Sequence, residues 1–475
     1  MVSHTQLYTI IQVMPLRMEI ALNELPTRNN RLSKKIPPLA IYRKNDNHTE
    51  ELNMDQTGSS RNEYQHRRSY SSYSGNSESF QCAIGPILSI AQIFGIFPVS
   101  GIRSTSPSKL HFNPLSFLTI YSVFVTVMIL FATTISMIYM FKTLNAETFQ
   151  MRGGIGAATV GAVFYGNSLL GLILFFWLSS RWASFQCEYR AMEQYIDRNS
   201  SERSYLRWKF LLISTVVLLL ALIEHILSIL KNAEGYDWCS PQNSSFRNFL
   251  EIYSLRSHAF IFDILDYNFT FGVYIFLISK VATFTWNFTD LFLMLVSSGL
   301  AERYKVLNRK LALTVANNRS TIGWQELRED YAILSSIVKK VDDHVSPIIL
   351  LSFANNLYFI CLQLLNGLST AGDSSLLNTI YFFGSFVFLI GRTAAVTLFS
   401  AKIYDESKRA LPYLYNCSAS SYGIEAQRLQ YQLATDDVAL TGLRFFSITR
   451  NFMLAMAGAI VTYEIVLLQF NGERK

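Results

Sequence analysis

The stretch FLLISTVVLLLALIEHILSIL, residues 210–230, is apolar over almost its whole length. A helix needs about 20 mostly apolar residues to cross the hydrocarbon core of a bilayer, so this stretch predicts a membrane-spanning helix. It also holds Glu224 and His225, two ionisable side chains. Such groups are costly within a membrane and are usually functional or paired when they occur there. The stretch therefore predicts a membrane protein with a polar site inside it.

Other apolar stretches satisfy the same length criterion and indicate seven spans, at roughly 115–141, 155–179, 209–230, 267–295, 347–368, 376–400 and 450–470. The composition agrees, because 50% of the 475 residues are hydrophobic and only 16% are charged. Soluble domains carry about 25% charged residues. The predicted fold class is an all-α membrane protein, a bundle of seven transmembrane helices.

An eighth stretch, FQCAIGPILSIAQIFGIFPVSGI at 80–102, is apolar but is interrupted by Pro86, Pro98 and three glycines. We interpret it as an interfacial or re-entrant helix and not as a span. This choice matters because one additional span would reverse the orientation of everything that follows it.

The distribution of Lys and Arg predicts the orientation. With the N-terminus inside, the inner loops next to the spans carry 20 basic residues and the outer segments carry 7. Cytoplasmic loops are enriched in Lys and Arg, so the N-terminus is predicted to be cytoplasmic and the C-terminus extracellular. This orientation is the reverse of that of a G-protein-coupled receptor, which has the same number of spans.

The long inner segment 301–346 contains an amphipathic helix, WQELREDYAILSSIVKKVDDHV. Its apolar positions follow helical spacing and share one face: Trp324, Leu327, Tyr331, Leu334, Ile337 and Val341. Two interpretations remain open at this point. The stripe is either part of a solvated extension of a membrane helix or a contact face between subunits, because an apolar stripe outside lipid needs a partner.

The sequence predicts no enzymatic activity, no cofactor, no metal site and no nucleic-acid partner. The five cysteines have no paired spacing. The glycine-rich GGIGAAT at 153–159 follows no strand, so it does not qualify as a dinucleotide-binding motif. Among the Asn-x-Ser/Thr sequons, only Asn243 lies well outside the membrane in the predicted topology, so it is the expected glycosylation site.

Polar residues accumulate at the outer level of the predicted bundle. They are Glu224, His225, Asp263, Asp266, Tyr267, Asn355, Asn356, Tyr358, Gln363, Asn366, Asn378 and Tyr381. Any one of them could simply form a hydrogen bond between helices. As a group they predict a polar cavity open to the outside, in which carboxylates and amides bind sugar hydroxyls and aromatic rings cover the apolar face of the sugar. Lys280 and Arg392 lie deeper and are expected to snorkel or to pair.

The last apolar stretch contains TYEIVLLQF at 462–470. On an α-helix, Thr462, Ile465 and Gln469 lie on one stripe, and Tyr463, Val466 and Phe470 lie on the next. If this surface lines a pore, a modest rotation exchanges an apolar Phe for a wettable Gln, which is one way to gate ions. The alternative is that Gln469 only contacts headgroups at the membrane edge.

These residues carry a resemblance to a known family. TYEIVLLQF resembles the Thr-Tyr, five residues, Gln-Phe signature that ends insect gustatory receptors. The stretches 85–102 and FTWNFTDLFLMLVSSGL, 284–300, are similar to the sugar-receptor branch. The resemblance covers about 80–475 and leaves 1–79 outside.

The resemblance implies a tetrameric, ligand-gated, nonselective cation channel with a sugar pocket in the outer half of each subunit. The expected partners are mono- or disaccharides, the permeant cations Na, K and Ca, membrane lipid and three further copies of the chain, with a heteromer as an alternative. It further implies the plasma membrane of taste-neuron dendrites. By this resemblance Gln469 and Phe470 match the gate pair, and Thr462 and Tyr463 its conserved start.

The predicted regions follow from the spans and the resemblance. They are a disordered cytoplasmic tail at 1–79, the interfacial segment at 80–112, the first four spans with the ligand pocket at 113–300, a cytoplasmic helical anchor region at 301–346, spans five and six at 347–400, a cytoplasmic loop and helix at 401–449, and the pore-lining helix with a short extracellular tail at 450–475. A G-protein-coupled chemoreceptor and a transporter remain as alternative functions.

Overall fold

The structure is a computed structural model that describes residues 79–144, 154–197, 205–234, 236, 245–316, 323–369, 376–419 and 421–472. At 367–369, 464 and 466–472 it describes the backbone alone. Two predictions lie outside the described residues, namely the tail at 1–78 and the glycosylation site Asn243.

The described chain is almost entirely helical. Its helices are α1 (Phe80–Ile93), α2 (Phe117–Thr143), α3 (Gly154–Asp197), α4 (Leu206–Asn232), α5 (Phe246–Ser257), α6 (Ala259–Phe262), α7 (Phe269–Ala316), α8 (Trp324–Ser369), α9 (Leu376–Lys408), α10 (Leu411–Tyr415), α11 (Ile424–Thr435) and α12 (Arg450–Gly472). A short hairpin of β1 (Thr441–Gly442) and β2 (Phe446–Ser447) precedes α12.

Each of the seven predicted spans coincides with a helix, namely α2, α3, α4, α7, α8, α9 and α12. In the part of the chain that the structure describes, six of these are long and apolar enough to cross a membrane. The chain is thus a multi-pass helical membrane protein. The structure leaves its orientation as a prediction.

Helix α7 lies at the centre of the bundle. Every residue from Asn287 to Ala301 is buried, although helices at a protein surface expose one face. The helix is enclosed because it packs against α3, α4, α5, α8 and α9. By contrast, α2 and α4 expose large apolar side chains such as Phe124 and Leu212, as helices that face lipid do.

The segment around α1 is held by specific contacts at both ends. The backbone N–H of Phe80 donates to Glu193 Oε1 at 2.9 Å, and its ring covers Gly299, where an added Cβ would come within 2.7 Å of the ring. The carboxylate of Glu193 also pairs with Arg303 at 2.7 Å. With 14 residues α1 extends about 21 Å, which is too short for a bilayer core of about 30 Å. Its interfacial placement stays a prediction.

The segment between the fourth and fifth spans, predicted to be cytoplasmic, contains two helical extensions. Helix α7 continues to Ala316, and α8 runs without a break from Trp324 through Pro347 to Ser369. The predicted apolar stripe of α8 is buried within the chain itself, against α7, α11 and the hairpin. The indole N–H of Trp324, the first residue of the stripe, also has a hydrogen-bond partner there, because Nε1 donates to the Ser421 carbonyl at 2.7 Å. Neither a solvated face nor a subunit contact is needed to explain it.

The hairpin that precedes the last helix is fixed to α8 by a carboxylate. Asp342 accepts hydrogen bonds from the backbone N–H of Thr441 at 2.6 Å and from its hydroxyl at 2.7 Å. Helix α12 then packs against α8 and α9.

Candidate ligand-binding site

A cavity of about 830 Å³ lies between α3, α4, α5, α7, α8 and α9. Its size falls within the range of about 300–1,000 Å³ that is usual for small-molecule sites. Half of the twelve predicted site residues line it: Glu224, His225, Gln363, Asn366, Asn378 and Tyr381. Since these residues come from α4, α8 and α9, the fold brings together side chains that are more than 150 positions apart in the sequence.

A chain of polar groups crosses one wall of the cavity. Gln363 Nε2 donates to Ser385 Oγ at 3.1 Å, and Ser385 Oγ donates to Glu224 Oε1 at 3.0 Å. Two buried atoms beside it, Gln363 Oε1 and His225 Nε2, have no hydrogen-bond partner among the described residues. A buried polar atom without a partner costs about 1–3 kcal/mol, so a hydroxyl-bearing ligand or water in the cavity would stabilise both.

Aromatic side chains supply the apolar part of the wall. Tyr253, Phe260, Trp286 and Phe382 line the cavity from four different helices. Just behind them, Lys280 Nζ donates to the hydroxyl of Tyr253 at 2.9 Å. Lys280, which was expected to snorkel or to pair, thus bonds a tyrosine hydroxyl. The cavity thus offers hydrogen-bonding groups and ring faces side by side.

The floor of the cavity is a buried ion pair. Arg392 Nε lies 2.8 Å from Asp290 Oδ2, although the N–H is not aligned for a hydrogen bond. Another guanidinium nitrogen of Arg392 donates to Asn287 Oδ1. Asp290 is 0% exposed and Arg392 is 5% exposed. The pair joins α7 to α9 at one end of the cavity, which confirms the expected pairing of Arg392.

Further hydrogen bonds link this floor to α8. Asn356 donates through Nδ2 to Asp290 Oδ2 at 3.0 Å and accepts from Trp286 Nε1 at 3.0 Å. Ser352 donates to the other oxygen of Asp290 at 2.5 Å. The guanidinium carbon of Arg392 stands 4.6 Å from the centre of the Trp286 ring. The cluster therefore ties α7, α8 and α9 together and orients Trp286 at the cavity.

The other six predicted site residues do not line the cavity. Asn356 belongs to the floor cluster, whereas its neighbour Asn355 is turned to α3 and accepts a hydrogen bond from Asn167. Tyr358 shares a hydrogen bond of 2.7 Å with Thr159.

The three predicted site residues before α7 do not line this cavity. Asp263 and Asp266 are exposed, and the half-buried Tyr267 packs its ring against Phe262. All three follow the four-residue helix α6.

Several residues in or below the cavity were missed by the sequence reasoning. Asn287 lines the cavity and Asp290 lies in the floor cluster, both within the fourth span, and an aspartate in an apolar run is a signal for a functional or paired group. Tyr253, on α5, and His258, directly after it, line the cavity from the segment between the third and fourth spans.

Burial sets the charge state of His258, which lies between the spans and lines the cavity. Burial, followed by the positive charge of Lys280, lowers the pKa of His258 to about 3. Its ring nitrogen Nδ1 is paired with the Ser257 hydroxyl at 2.6 Å. The imidazole is thus neutral at physiological pH and serves as a hydrogen-bonding group.

A pH dependence follows from this shift. The unfolded chain takes up a proton at His258 below a pH of about 6.5, whereas the folded chain does so only near pH 3. The free energy of unfolding therefore decreases as the pH is lowered from about 6.5 toward 3. Between pH 6.5 and 5 the expected loss is about 2 kcal/mol. Thermal unfolding of the purified protein at both pH values should show a smaller loss of stability in His258→Gln. The exposed His111→Gln should behave as the unaltered chain does, and equal acid sensitivity in all three proteins would contradict the assignment.

The predicted gate residues lie on α12. Tyr463 and Ile465 are 46% and 49% exposed, and Thr462 Oγ1 donates to the Gly458 carbonyl at 2.8 Å. The side chains of Val466, Gln469 and Phe470 lie outside the described residues, so their role stays a prediction. The backbone of the segment is helical, so the six residues lie on two adjacent stripes of one helix, as predicted.

Comparison with known proteins adds information on ancestry. A sequence profile described as "Trehalose receptor" matches residues 54–475. The match begins further toward the N-terminus than the expected start of the resemblance at residue 80. From Drosophila melanogaster, the gustatory receptor for sugar taste 64f is 33% identical over 95% of this chain and 97% of its own length. The gustatory receptor 5a for trehalose is also 33% identical, over 84% of this chain and 86% of its own length.

Solved structures share the fold. The insect olfactory receptor OR5 from Machilis hrabei superposes with a TM-score of 0.60 over 86% of this chain and 100% of that chain, at 13% sequence identity. The same receptor in complex with eugenol gives the same TM-score at 14% identity. At this level of identity the similarity establishes the arrangement of helices alone.

Proposed function

The chain belongs to the trehalose receptor family, the sugar gustatory receptors of insects, and from this premise we propose that it is a sugar-gated, nonselective cation channel. The predicted membership in the insect gustatory receptors and in their sugar branch is thereby confirmed. Its named relatives are receptors, in agreement with the prediction that the chain is no enzyme.

The observation that carries the proposal is the cavity between α4, α7, α8 and α9. A neutral sugar presents pairs of hydroxyl groups and one apolar ring face. The Glu224–Ser385–Gln363 chain offers acceptors and donors for the hydroxyls, and Trp286 and Phe382 offer faces for the ring. A few convergent polar groups in a largely aromatic wall are typical of specific small-molecule sites.

The proposed orientation places this cavity in the outer half of the bundle, with the N-terminus cytoplasmic and the C-terminus extracellular. The proposed assembly is a tetramer of identical chains, or a heteromer with related receptors, around a central pore for Na, K and Ca. The exposed apolar face of α12 supports this arrangement, because a helix with Leu454 and Val461 largely exposed in one subunit needs lipid or neighbouring subunits around it. The proposed location is the plasma membrane of taste-neuron dendrites.

The alternative functions lose support. A G-protein-coupled chemoreceptor would require the opposite orientation, which the distribution of basic residues disfavours. The fold is shared with an insect olfactory receptor. A transporter of the inverted-repeat type is disfavoured since the sequence shows no repeated halves.

The proposal is tested with purified protein in planar lipid bilayers. We expect sugars from a panel that includes trehalose, sucrose, maltose, glucose and fructose to evoke cation currents without G protein or any other component. Sugar binding without current would contradict the channel assignment, and current that no sugar modulates would contradict the receptor assignment.

The polar wall gives a prediction for sugar sensitivity. Glu224→Gln preserves the shape of the side chain but weakens the acceptor for Ser385 and for a sugar hydroxyl. A lost hydrogen-bond partner costs roughly 1–3 kcal/mol, so the sugar concentration for half-maximal current should rise about 5- to 150-fold. The matched control is Asp266→Asn, which neutralises an exposed carboxylate away from the cavity and should leave the dose–response curve unchanged. Equal curves for both variants would place the sugar elsewhere.

A further inference from the structure

A second concave surface lies far from the sugar cavity, between α1, the loop that follows it and the start of α2. This groove has a volume of about 810 Å³ and is lined mainly by Ile93, Val99, Phe117, Leu118 and Tyr121. Ile93 and Phe117 at its rim are 68% and 82% exposed. On the same helix the exposed residues Ile120 and Phe124 continue the apolar surface, so the groove opens sideways onto the lipid-facing side of α2.

The walls of the groove are fixed by hydrogen bonds. Gln92 Nε2 donates to the carbonyls of Phe97 at 3.2 Å and Val99 at 2.7 Å, which holds the returning loop against α1. The hydroxyl of Tyr121 donates to the carbonyl of Ile93 at 2.8 Å and connects the two helices. The groove is therefore a built feature of the fold and does not depend on loose side chains.

The loop turns back at a position that only glycine can occupy. Gly101 has a φ of +79°, and an added Cβ would lie 2.1 Å from the Lys109 carbonyl oxygen. The adjacent bridge pairs Ser100 with His111. This tight turn places Arg103 at the edge of the groove.

The charged side chains around the groove are basic. Residues 79–144 contain no Asp or Glu, whereas Arg103 and Lys109 lie in the loop between α1 and α2. Arg103 donates through Nε to the Ser89 hydroxyl at 3.0 Å. Among the described residues, no carboxylate forms an ion pair with Arg103, and its two terminal nitrogens have no acceptor. The guanidinium of Arg103 is exposed and presents a planar fork of N–H donors beside an apolar groove. This arrangement fits a phospholipid whose phosphate binds the guanidinium and whose acyl chain lies in the groove.

We propose that this groove is a binding site for an anionic glycerophospholipid of the inner leaflet. The apolar walls hold an acyl chain, and the terminal N–H groups of Arg103 bind the phosphate. Lys109, exposed on the same loop, adds attraction for a negative headgroup. The assignment to the inner leaflet uses the proposed orientation, while the preference for an anionic lipid rests on the charge of the groove alone.

The test places the photoreactive amino acid benzoylphenylalanine at position 117 in place of the rim residue Phe117. The purified receptor is reconstituted in vesicles with equal amounts of phosphatidylserine and phosphatidylcholine that carry identical acyl chains. After illumination, mass spectrometry distinguishes an adduct of either lipid from a covalent dimer of the protein. No sugar and no current are involved, so the outcome is independent of the proposed channel function.

We expect serine-lipid adducts to exceed choline-lipid adducts by about fivefold, which is the effect of about 1 kcal/mol for a basic residue near an anionic headgroup. Arg103→Gln should abolish this preference, and Arg103→Lys should retain most of it. The control Lys142→Gln changes a basic residue at the opposite end of α2 and should have no effect. Equal labelling by the two lipids, or a covalent dimer as the main product, would overturn the proposal.

Discussion

Replacing Asp290 with Ala is expected to prevent most of the receptor from reaching the cell surface in a folded form. Arg392 is 5% exposed and keeps its charge, because arginine is not deprotonated in proteins. Removing Asp290 leaves this charge buried without a counter-charge, which costs about 3–5 kcal/mol. A whole domain has only about 5–15 kcal/mol of stability, so the loss is a large fraction of the total.

The measurement is the amount of monodisperse receptor and its thermal unfolding temperature. Asp263→Ala removes an exposed carboxylate shortly before the start of the same helix and should leave both unchanged. The double variant Asp290→Asn with Arg392→Gln removes both charges and should recover most of the lost stability, because a neutral pair leaves no charge buried. A double variant that is as unstable as Asp290→Ala alone would show that the ion pair is not the cause.

The floor cluster could be predicted only in part from the sequence. The sequence places Asp290 in the middle of an apolar run, and that position alone indicates a functional or paired group. It does not indicate the partner, because Arg392 lies about a hundred positions later on a different helix. The pairing depends on which faces of α7 and α9 are turned toward each other.

The spans themselves could be predicted, since their length and composition are set by the bilayer. What the apolar stretches do not predict is how far the helices continue beyond them. Helix α7 continues 21 residues beyond the predicted end of its span at 295, to Ala316. Helix α8 begins at Trp324, where the predicted amphipathic helix begins, but it runs without a break into the fifth span, and the sequence did not predict that continuity. These extensions are stabilised by packing within the chain.

For the site, the sequence predicts which stretches carry polar side chains better than it predicts the direction of each side chain. Asn355 and Asn356 are adjacent on one helix, yet neighbouring side chains on a helix point about 100° apart. One of them therefore contacts α3 and the other supports the cavity floor. Similarly, Asp266 precedes α7, whose residues line the cavity, but is itself exposed and does not line it. Rotation about each helix axis is decided by packing, which the linear sequence does not contain.

The second large effect is expected at the end of α12, where the family resemblance assigns the gate to Phe470 and Gln469. In the proposed tetramer, four Phe470 side chains would form an apolar neck that water avoids, so ions would not pass with their hydration shells. Phe470→Ala should widen and wet this neck and produce current without sugar. Gln469→Leu should preserve sugar binding but lower the open-channel conductance, because the open ring loses the amide groups that replace part of the hydration shell.

Single-channel recording of both variants separates gating from anchoring. If Gln469 only contacts headgroups at the membrane edge, Gln469→Leu should fold poorly or conduct as the unaltered channel does. Leu454→Ala, which shortens an exposed apolar residue at the other end of α12, is the matched control and should leave closure and conductance intact. Helix α12 packs against α8 and α9, two of the helices that line the cavity, so the proposed site and the proposed gate share neighbouring helices. Normal closure without sugar in Phe470→Ala, together with unchanged conductance in Gln469→Leu, would reject the gate and leave the pore to be sought on another helix.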